Sequence, residues 1–541
     1  MTLRVLVDGR EARGEAGATL YACAESVGVY VPTSCFAQGK CRECLVEVEL
    51  GAELLSPRTP EEEALDARFR LSCRARLEKG GEATVRCHTL RRGALRIEEG
   101  DYGLEQELDL CPGVESGERG VVRDGEVIDE VKGKLLGLAV DVGTTTVVLR
   151  LFDLETGVAL ASSAFENPQR FGGTDVMARI RFDGEHPGRL LQRTLLGYLA
   201  RAIEELPGDS RRIFEVVVAG NTAMRDLFFG LDVRGVGEAP YRSLTEVELL
   251  AGRRASTALF GNPRKLRLPV HPEARIVGLP LVASHVGADA AAAMLATGIG
   301  TADGVRVLMD IGTNTEVVAG NRARLVAASC PAGPAFEGGA IRNGMPALDG
   351  AIERVALRSD GSVESRVIGD VAPLGVCGSG LVDCLGELVR TGRMNERGRI
   401  DEEEEVHELV LDREADLRFT EFDVNELAQA KGANAAGLAC VFELLGVRAG
   451  DIEVFYLAGG FARHLDLDAS RRIGLVPDLP DERFRRVGNA ALLGASQALL
   501  STRKRAELEQ RIARVEHVRL ETHPSFFDHF VEGCLFQPFR P

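Results

Sequence analysis

The sequence contains no tryptophan, no G-x-x-x-x-G-K-[ST] motif and, among nine histidines, no pair that reads as a metal site. A P-loop nucleotide site is thereby excluded. No apolar run approaches the roughly 18 residues that cross a bilayer, and the chain opens on a polar-punctuated strand instead of a signal peptide. Basic charge is in deficit. With 65 Lys and Arg against 82 Asp and Glu, the net charge is -17 and the isoelectric point near 5.2, which argues against a general nucleic-acid binder. With no membrane segment and no secretion signal, twelve cysteines point to a reducing, cytoplasmic location. At 541 residues the chain is too long for one hydrophobic core, so two to four domains are expected.

Four of the cysteines have a spacing of their own. Cys35, Cys41, Cys44 and Cys73 form C-x5-C-x2-C followed by a distant fourth thiol. A loop carrying three thiolates can wrap one side of a [2Fe-2S] cluster while a strand end supplies the last. The spacing is close to the plant-type C-x4-C-x2-C…C with one extra residue in the first gap, and so resembles ferredoxins of the adrenodoxin type. A structural zinc site normally shows two short Cys/His pairs, whereas Cys73 stands alone. Flanking signals agree: a strand at Leu3 to Val7, a turn at Asp8-Gly9, and a helix capped by Thr19 with Leu20, Cys23, Ala24 and Val27 on one face. A second strand at Leu45 to Leu50 and a capping box at Thr59-Pro60-Glu61-Glu62 precede the return to Cys73. This is the order of a β-grasp ferredoxin (α+β) over residues 1–90. Cys23 reads as core, and Cys87 as a weaker substitute for Cys73.

Residues 91–134 are rich in Gly, Glu, Asp and Arg and read as a linker with short extended pieces. Next come two copies of one pattern. Leu135 to Val140 and Thr146 to Phe152 are apolar strands joined by Asp141-Val142-Gly143-Thr144-Thr145. The same arrangement recurs 169 positions on, at Asp310-Ile311-Gly312-Thr313-Asn314-Thr315, between Val305 to Met309 and Glu316 to Ala319. One such turn is weak evidence; two, each behind a buried-type strand, point to hairpins that offer backbone N–H groups and hydroxyls to phosphates while the Asp carboxylates hold Mg²⁺ through water. A third element, Val454 to Ala458 ending in Gly459-Gly460-Phe461, leaves bare backbone against which a flat base can lie. Asn489 to Leu500 reads as a small-residue helix suited to close packing between lobes.

With these motifs in order, residues 135–541 resemble the acetate and sugar kinase, Hsc70 and actin superfamily. That resemblance implies an α/β multidomain chain in which a two-lobed actin-like ATPase with RNase H-like lobes, residues 135–300 and 301–541, closes on ATP and Mg²⁺. The fused ferredoxin, with Val218-Ala219-Gly220-Asn221-Thr222-Ala223-Met224, Pro331 to Gly339 and Gly375 to Gly380, is similar to the reductive activators of corrinoid proteins. The implied reaction uses ATP to pass one electron from the cluster to Co(II) of a corrinoid protein, restoring Co(I), with a low-potential donor upstream and a homodimeric assembly. A tethered cluster would swing toward the partner.

The implied roles are as follows. Asp141 and Asp310 serve Mg²⁺-bound water or catalysis, and Glu316 and Asp289 orient the attacking water. Gly143 to Thr146 and Gly312 to Thr315 contact phosphates; Asn221, Thr222 and Ser379 line the cleft; and Gly459, Gly460 and Phe461 contact the base. Cys330, Cys377, Cys384 and Cys440 lack mutual metal spacing and read as packing. Asp401 to Glu405 reads as a solvated acidic run, and the C-terminal phenylalanines as a tail docked on a core. Rival readings are an activator of 2-hydroxyacyl-CoA dehydratases, a small-molecule kinase regulated by its ferredoxin, and an ATP-gated binding module.

Overall fold

The structure is a computed structural model that describes residues 2–78, 83–91, 109–401, 407–460 and 462–540. Phe461 and most of the acidic run after Asp401 lie outside the described residues. Two compact units are present: Leu110–Leu279 with the N-terminal residues, and Pro280 onward with Asp109.

The N-terminal domain is a five-stranded sheet in the order β2-β1-β5-β3-β4. Its strands are β1 (Thr2–Val7), β2 (Arg10–Glu15), β3 (Leu45–Leu50), β4 (Phe69–Leu71) and β5 (Thr84–Thr89). Helix α1 (Leu20–Ser26) starts where Thr19 accepts the Ala22 N–H at 3.1 Å, and buries Leu20, Cys23 and Ala24. The expected capping box is present over Pro60–Glu62 as a single 3-10 turn. Glu62 there is buried: its carboxylate accepts from Thr59 N (2.8 Å), Leu71 N (2.7 Å) and Arg70 (3.0 Å), which fixes the strand that leads into Cys73. A buried carboxylate is tolerated because every one of these donors faces it.

The segment read as a linker contains the expected extended pieces, but they form a sheet. Strands β6 (Glu115–Gly117), β7 (Gly120–Arg123) and β8 (Glu126–Asp129) make an antiparallel meander. Arg123 donates to Phe214 O at 2.8 Å and Arg212 pairs with Asp129 at 2.7 Å, so the meander is fastened to the first unit.

The first unit's main sheet runs β11-β10-β9-β12-β14-β13. Strands β9 (Leu136–Val142), β10 (Thr146–Asp153) and β11 (Ala159–Glu166) are antiparallel, and β12 (Ile213–Gly220) joins β9 in parallel. Beyond them lie β13 (Leu259–Gly261) and β14 (Arg275–Gly278). Helices α2 (Val176–Glu185), α3 (Leu190–Glu204) and α4 (Thr222–Phe229) belong to the same unit.

The second unit repeats the plan as β24-β23-β15-β16-β17-β25. Strands β15 (Val305–Ile311), β16 (Thr315–Gly320) and β17 (Leu325–Cys330) are antiparallel. Smaller sheets follow: β18 (Ala351–Leu357), β19 (Val363–Val367) and β20 (Gly375–Val376), then β21 (Glu408–Asp412) with β22 (Leu417–Thr420). Strand β23 (Ile452–Ala458) joins β15 in parallel, β24 (Phe484–Gly488) joins β23, and β25 (Val515–His517) closes the other edge. Three antiparallel strands followed by two parallel ones therefore occur twice, which is the RNase H-like arrangement.

By packing, the two compact units divide at Leu279, because helix Ala288–Thr297 packs on helix Ala490–Leu500. Their contact is close enough that a Cβ on Gly494 would collide with Ala292 O. The small-residue helix Ala490–Leu500 thus packs closely on helix Ala288–Thr297, as its composition leads one to expect.

The N-terminal domain is also packed instead of merely tethered. Its core is continuous with that of the first unit. Phe69 meets Phe171 edge to face at 6.5 Å, and Leu90 N donates to the buried Tyr198 hydroxyl at 3.0 Å. At the C-terminus Phe536 is buried, Phe539 packs on Phe442, and Lys431 donates to Leu535 O at 2.7 Å, so the tail is docked.

Candidate cluster and nucleotide sites

The three-cysteine loop follows α1 and is curled by left-handed backbone at Phe36, Ala37, Gly39 and Arg42. Thr33 holds its first turn: the hydroxyl accepts from Ala37 N at 3.0 Å and lies 3.8 and 3.7 Å from the Cys35 and Cys41 sulfurs. The four expected thiols come together as two pairs, Cys35 with Cys41 at 3.3 Å and Cys44 with Cys73 at 3.2 Å. Burial alone would raise the Cys35 thiol; the backbone N–H groups of Cys41 and Lys40 and the Cys41 and Thr33 side chains outweigh it and bring the value down to about 6. Thiolate is the form that binds iron. Cys23 and Cys87 are buried in the core of the domain and stand apart from this set.

The cluster loop is gripped from α3. Arg193 donates to Cys41 O at 2.8 Å and to Glu43 at 3.0 Å, and Glu43 also accepts from Ser34 at 2.9 Å. Behind it Arg170 bonds Glu47 at 2.9 Å and the carbonyls of Thr89 and Leu90 at 3.3 Å each. Arg170 belongs to the 3-10 turn Pro168–Gly172, whose cap Asn167 reaches the first hairpin. Its side chain donates to Gly143 O at 2.8 Å and its N–H to Thr145 O at 2.7 Å. None of Arg170, Arg193 and Asn167 was foreseen. A lone Arg or Asn on a helix or turn carries no spacing signal.

The two hairpins occupy equivalent positions in their sheets. Asp141 of β9 faces Val148 of β10 and Ala219 of β12; Asp310 of β15 faces Glu316 of β16 and Ala458 of β23. In the first turn Gly143 N donates to Thr146 O at 3.0 Å, and Thr144 accepts from Asn221 Nδ2 at 2.9 Å. Asn221 caps α4, and Thr222 is buried at its first position. In the second turn, Thr313 bonds Glu337, and Thr315 is buried.

The parallel strands end alike. Gly220, which ends β12, and Gly459, which follows β23, both have positive φ, +149° and +109°. A Cβ on Gly220 would stand 2.6 Å from Val142 O, and one on Gly459 would collide with Ile311 O. Each glycine thus lies over the hairpin of its own lobe, and only glycine fits. Ala219-Gly220-Asn221 and Ala458-Gly459-Gly460 are therefore a second internal repeat, readable in the sequence as A-G-[NG] after a buried strand. Among the described residues nothing lies within 4 Å of a Cβ on Gly460.

The second unit gathers three acids. Burial first, and then the charges of Asp289 and Asp310, push the Glu316 carboxyl well above the usual glutamate value. Glu316 accepts from Ser329 at 3.3 Å, and Asp289 sits in the first turn of helix Ala288–Thr297. Ser379, at the start of helix Gly378–Arg390, spends its hydroxyl on Glu353 O at 3.0 Å. Cys330, Cys377, Cys384 and Cys440 are buried.

Comparison with known proteins gives three successive matches along the chain. Residues 5–78 match the 2Fe-2S iron-sulfur cluster binding domain, 136–302 the RACo middle region, and 304–539 the C-terminal domain of RACo, the ASKHA domain. The chain is 28% identical to a corrinoid activation enzyme, RamQ, of Eubacterium limosum, across 94% of this chain and 95% of that one. It is 23% identical to a [Co(II) methylated amine-specific corrinoid protein] reductase of Methanosarcina barkeri, across 73% and 76%. Among solved structures, a reductive activator for corrinoid, iron-sulfur protein matches at 26% identity and a TM-score of 0.69, covering 99% of both chains.

Proposed function

We propose, because this chain belongs to the reductive activators of corrinoid proteins, that it spends ATP to place one electron on the Co(II) of a corrinoid protein and so restores Co(I). The observation that carries this reading is one chain holding two converging thiol pairs and a duplicated Asp-Gly-Thr hairpin.

The residues present fit both groups. Cys35, Cys41, Cys44 and Cys73 would hold a [2Fe-2S] cluster through four thiolates. When bound, such a cluster gives and takes single electrons. The chain's task is then to hold those thiolates, exclude bulk water from Cys44 and Cys73, and keep the loop fixed through Arg193.

On the ATPase side, Gly143 to Thr146 and Gly312 to Thr315 would receive phosphate oxygens on backbone N–H groups and hydroxyls. Asp141 and Asp310 would hold Mg²⁺ through water. Asn221 and Thr222 would continue the first hairpin, and Gly459 and Gly460 would leave room for the base. Glu316, with its raised affinity for a proton, and Asp289 would orient water toward the terminal phosphate. A function for Ser379 is weaker, since its hydroxyl is occupied.

A plant-type cluster sits near -400 mV, and a further gap of about 300 mV costs on the order of 7 kcal/mol. ATP can shift that balance only by binding one state of the complex better than another. A low-potential donor, a homodimer and a cytoplasmic setting complete the proposal; among the described residues no helix is long and apolar enough to cross a membrane. The test mixes the chain, a low-potential reductant, ATP and a Co(II) corrinoid protein. A Co(I) spectrum that appears only with ATP supports the reading; none, or equal rates without ATP, refutes it.

A further inference from the structure

The cluster loop has two unlike sides. One is covered by α3, through Arg193 on Cys41 O and Glu43 and through the close approach of Pro32 to Gly197. On the loop's exposed surface stands Phe36, 89% exposed, next to Cys35, the only one of the four thiols that is not buried. Its φ of +52° is uncommon for a bulky residue. The turn is nonetheless held, by Ala37 N on Thr33 at 3.0 Å and Gln38 N on Cys35 O at 3.2 Å. A large ring is thus kept in water beside the least covered thiol.

The charges of this segment are unlike those of the chain. Lys40, Arg42 and Arg74 are exposed on the loop and just after Cys73, and Arg267 stands 4.0 Å from Glu43 with its side chain 66% exposed. Against them Glu61 acts on Arg74 and Arg42, and Glu43 is turned inward to Arg193. A chain of net charge -17 therefore carries a cationic rim at its thiol loop.

We propose that the Phe36 edge is the port where an acidic one-electron carrier protein docks to charge the cluster, with Lys40, Arg42 and Arg74 steering it and Phe36 as the apolar anchor. This rests on the reading of the chain as a reductive activator. One electron leaves the reduced carrier, which is oxidised by one, and the cluster is reduced by one; no bond or proton is exchanged. The occupant is the donor instead of the corrinoid protein because no rim residue belongs to a nucleotide hairpin. A donor that only charges the cluster needs no binding that answers to ATP.

The test uses the full-length protein with its cluster, a Lys40→Glu/Arg42→Asp variant and a Phe36→Ser variant. Unchanged iron content and visible spectrum show that the loop is intact. Association with oxidised plant-type ferredoxin, an acidic carrier, is measured by sedimentation at about 20 mM and about 300 mM salt, with and without ATP. Basic cytochrome c serves as the opposite-charge control. The charge-reversal variant is expected to bind ferredoxin at least about tenfold more weakly at low salt, to lose the salt dependence, and to bind cytochrome c more tightly. Phe36→Ser is expected to weaken ferredoxin binding at both salts. Equal affinity and salt slope in wild type and Lys40→Glu/Arg42→Asp overturns the proposal. So does ATP-dependent ferredoxin binding, or a variant that loses only the corrinoid protein. Because no Co(I) is measured, these outcomes are separate from failure of the activator reading.

Discussion

Replacing Arg193 with alanine probes how firmly the cluster domain is seated. The guanidinium makes two charged bonds, to Glu43 at 3.0 Å and Cys41 O at 2.8 Å, and charged hydrogen bonds contribute about 1.5–3 kcal/mol each. Removing one partner of a buried pair costs about 3–5 kcal/mol because the other charge is stranded. Here the cost is smaller. The Arg193 side chain is 30% exposed, and Glu43 keeps Ser34 at 2.9 Å and Arg267 at 4.0 Å. About 2–3 kcal/mol is therefore expected, which is roughly 30- to 150-fold in the equilibrium between docked and undocked domain. The Leu90 amide, bonded across the junction to Tyr198, reports that equilibrium directly by hydrogen exchange. A double-mutant cycle with Glu43→Gln isolates the pair. If the two substitutions add within about 0.5 kcal/mol, or Leu90 exchanges no faster in Arg193→Ala, then the grip inferred from these bonds does not hold the domain.

Cys44→Ser is expected to abolish the visible spectrum and lower bound iron, while Cys87→Ser, in the apolar core, keeps both; an iron and sulfide assay decides. Glu316→Gln tests the raised carboxyl. In wild type the unfolded chain gives up this proton near pH 4.5, before the folded one does, so wild-type stability falls relative to Glu316→Gln as pH rises above that value. Urea titrations without nucleotide from pH 4 to 7 that run parallel would contradict the assignment. Gly459→Ala is expected to lose on the order of 3 kcal/mol and nucleotide affinity, since its Cβ meets Ile311 O at a φ of +109°. Gly460→Ala, with open space around it, keeps its stability, and equal melting temperatures for the two variants would rule out the close-approach account.

Much of the site was readable because it is local in sequence. Cys35, Cys41 and Cys44 share one loop, and each Asp-Gly-Thr turn sits between its own two strands, so spacing and strand pattern convey them without tertiary knowledge. The helix cap at Thr19 and the box at Thr59 to Glu62 were legible for the same reason, since capping is a contact over three residues. Reading residues 91–134 as a linker with extended pieces missed that those at Glu115–Asp129 form a sheet, because a short, polar meander has the composition of a linker. Its order comes from partners distant in sequence, such as Phe214 and Arg212. The helix Asn489 to Leu500 showed that it packs closely, but small residues do not say against what.

By itself, then, the sequence determined the domain order, the spacing of the four thiols and the paired hairpins, because these are carried by short motifs and their order along the chain. Tertiary structure alone decided that the cluster domain is seated on α3 and that Gly220 and Gly459 each lie against the backbone of the hairpin in their own unit. It also decided that burial and the charges of Asp289 and Asp310 act together on Glu316. These features arise from groups tens to hundreds of positions apart, where burial and opposing charge are set by packing. Arg193 and Glu43, 150 residues apart, have no shared pattern until the fold brings them to 3.0 Å.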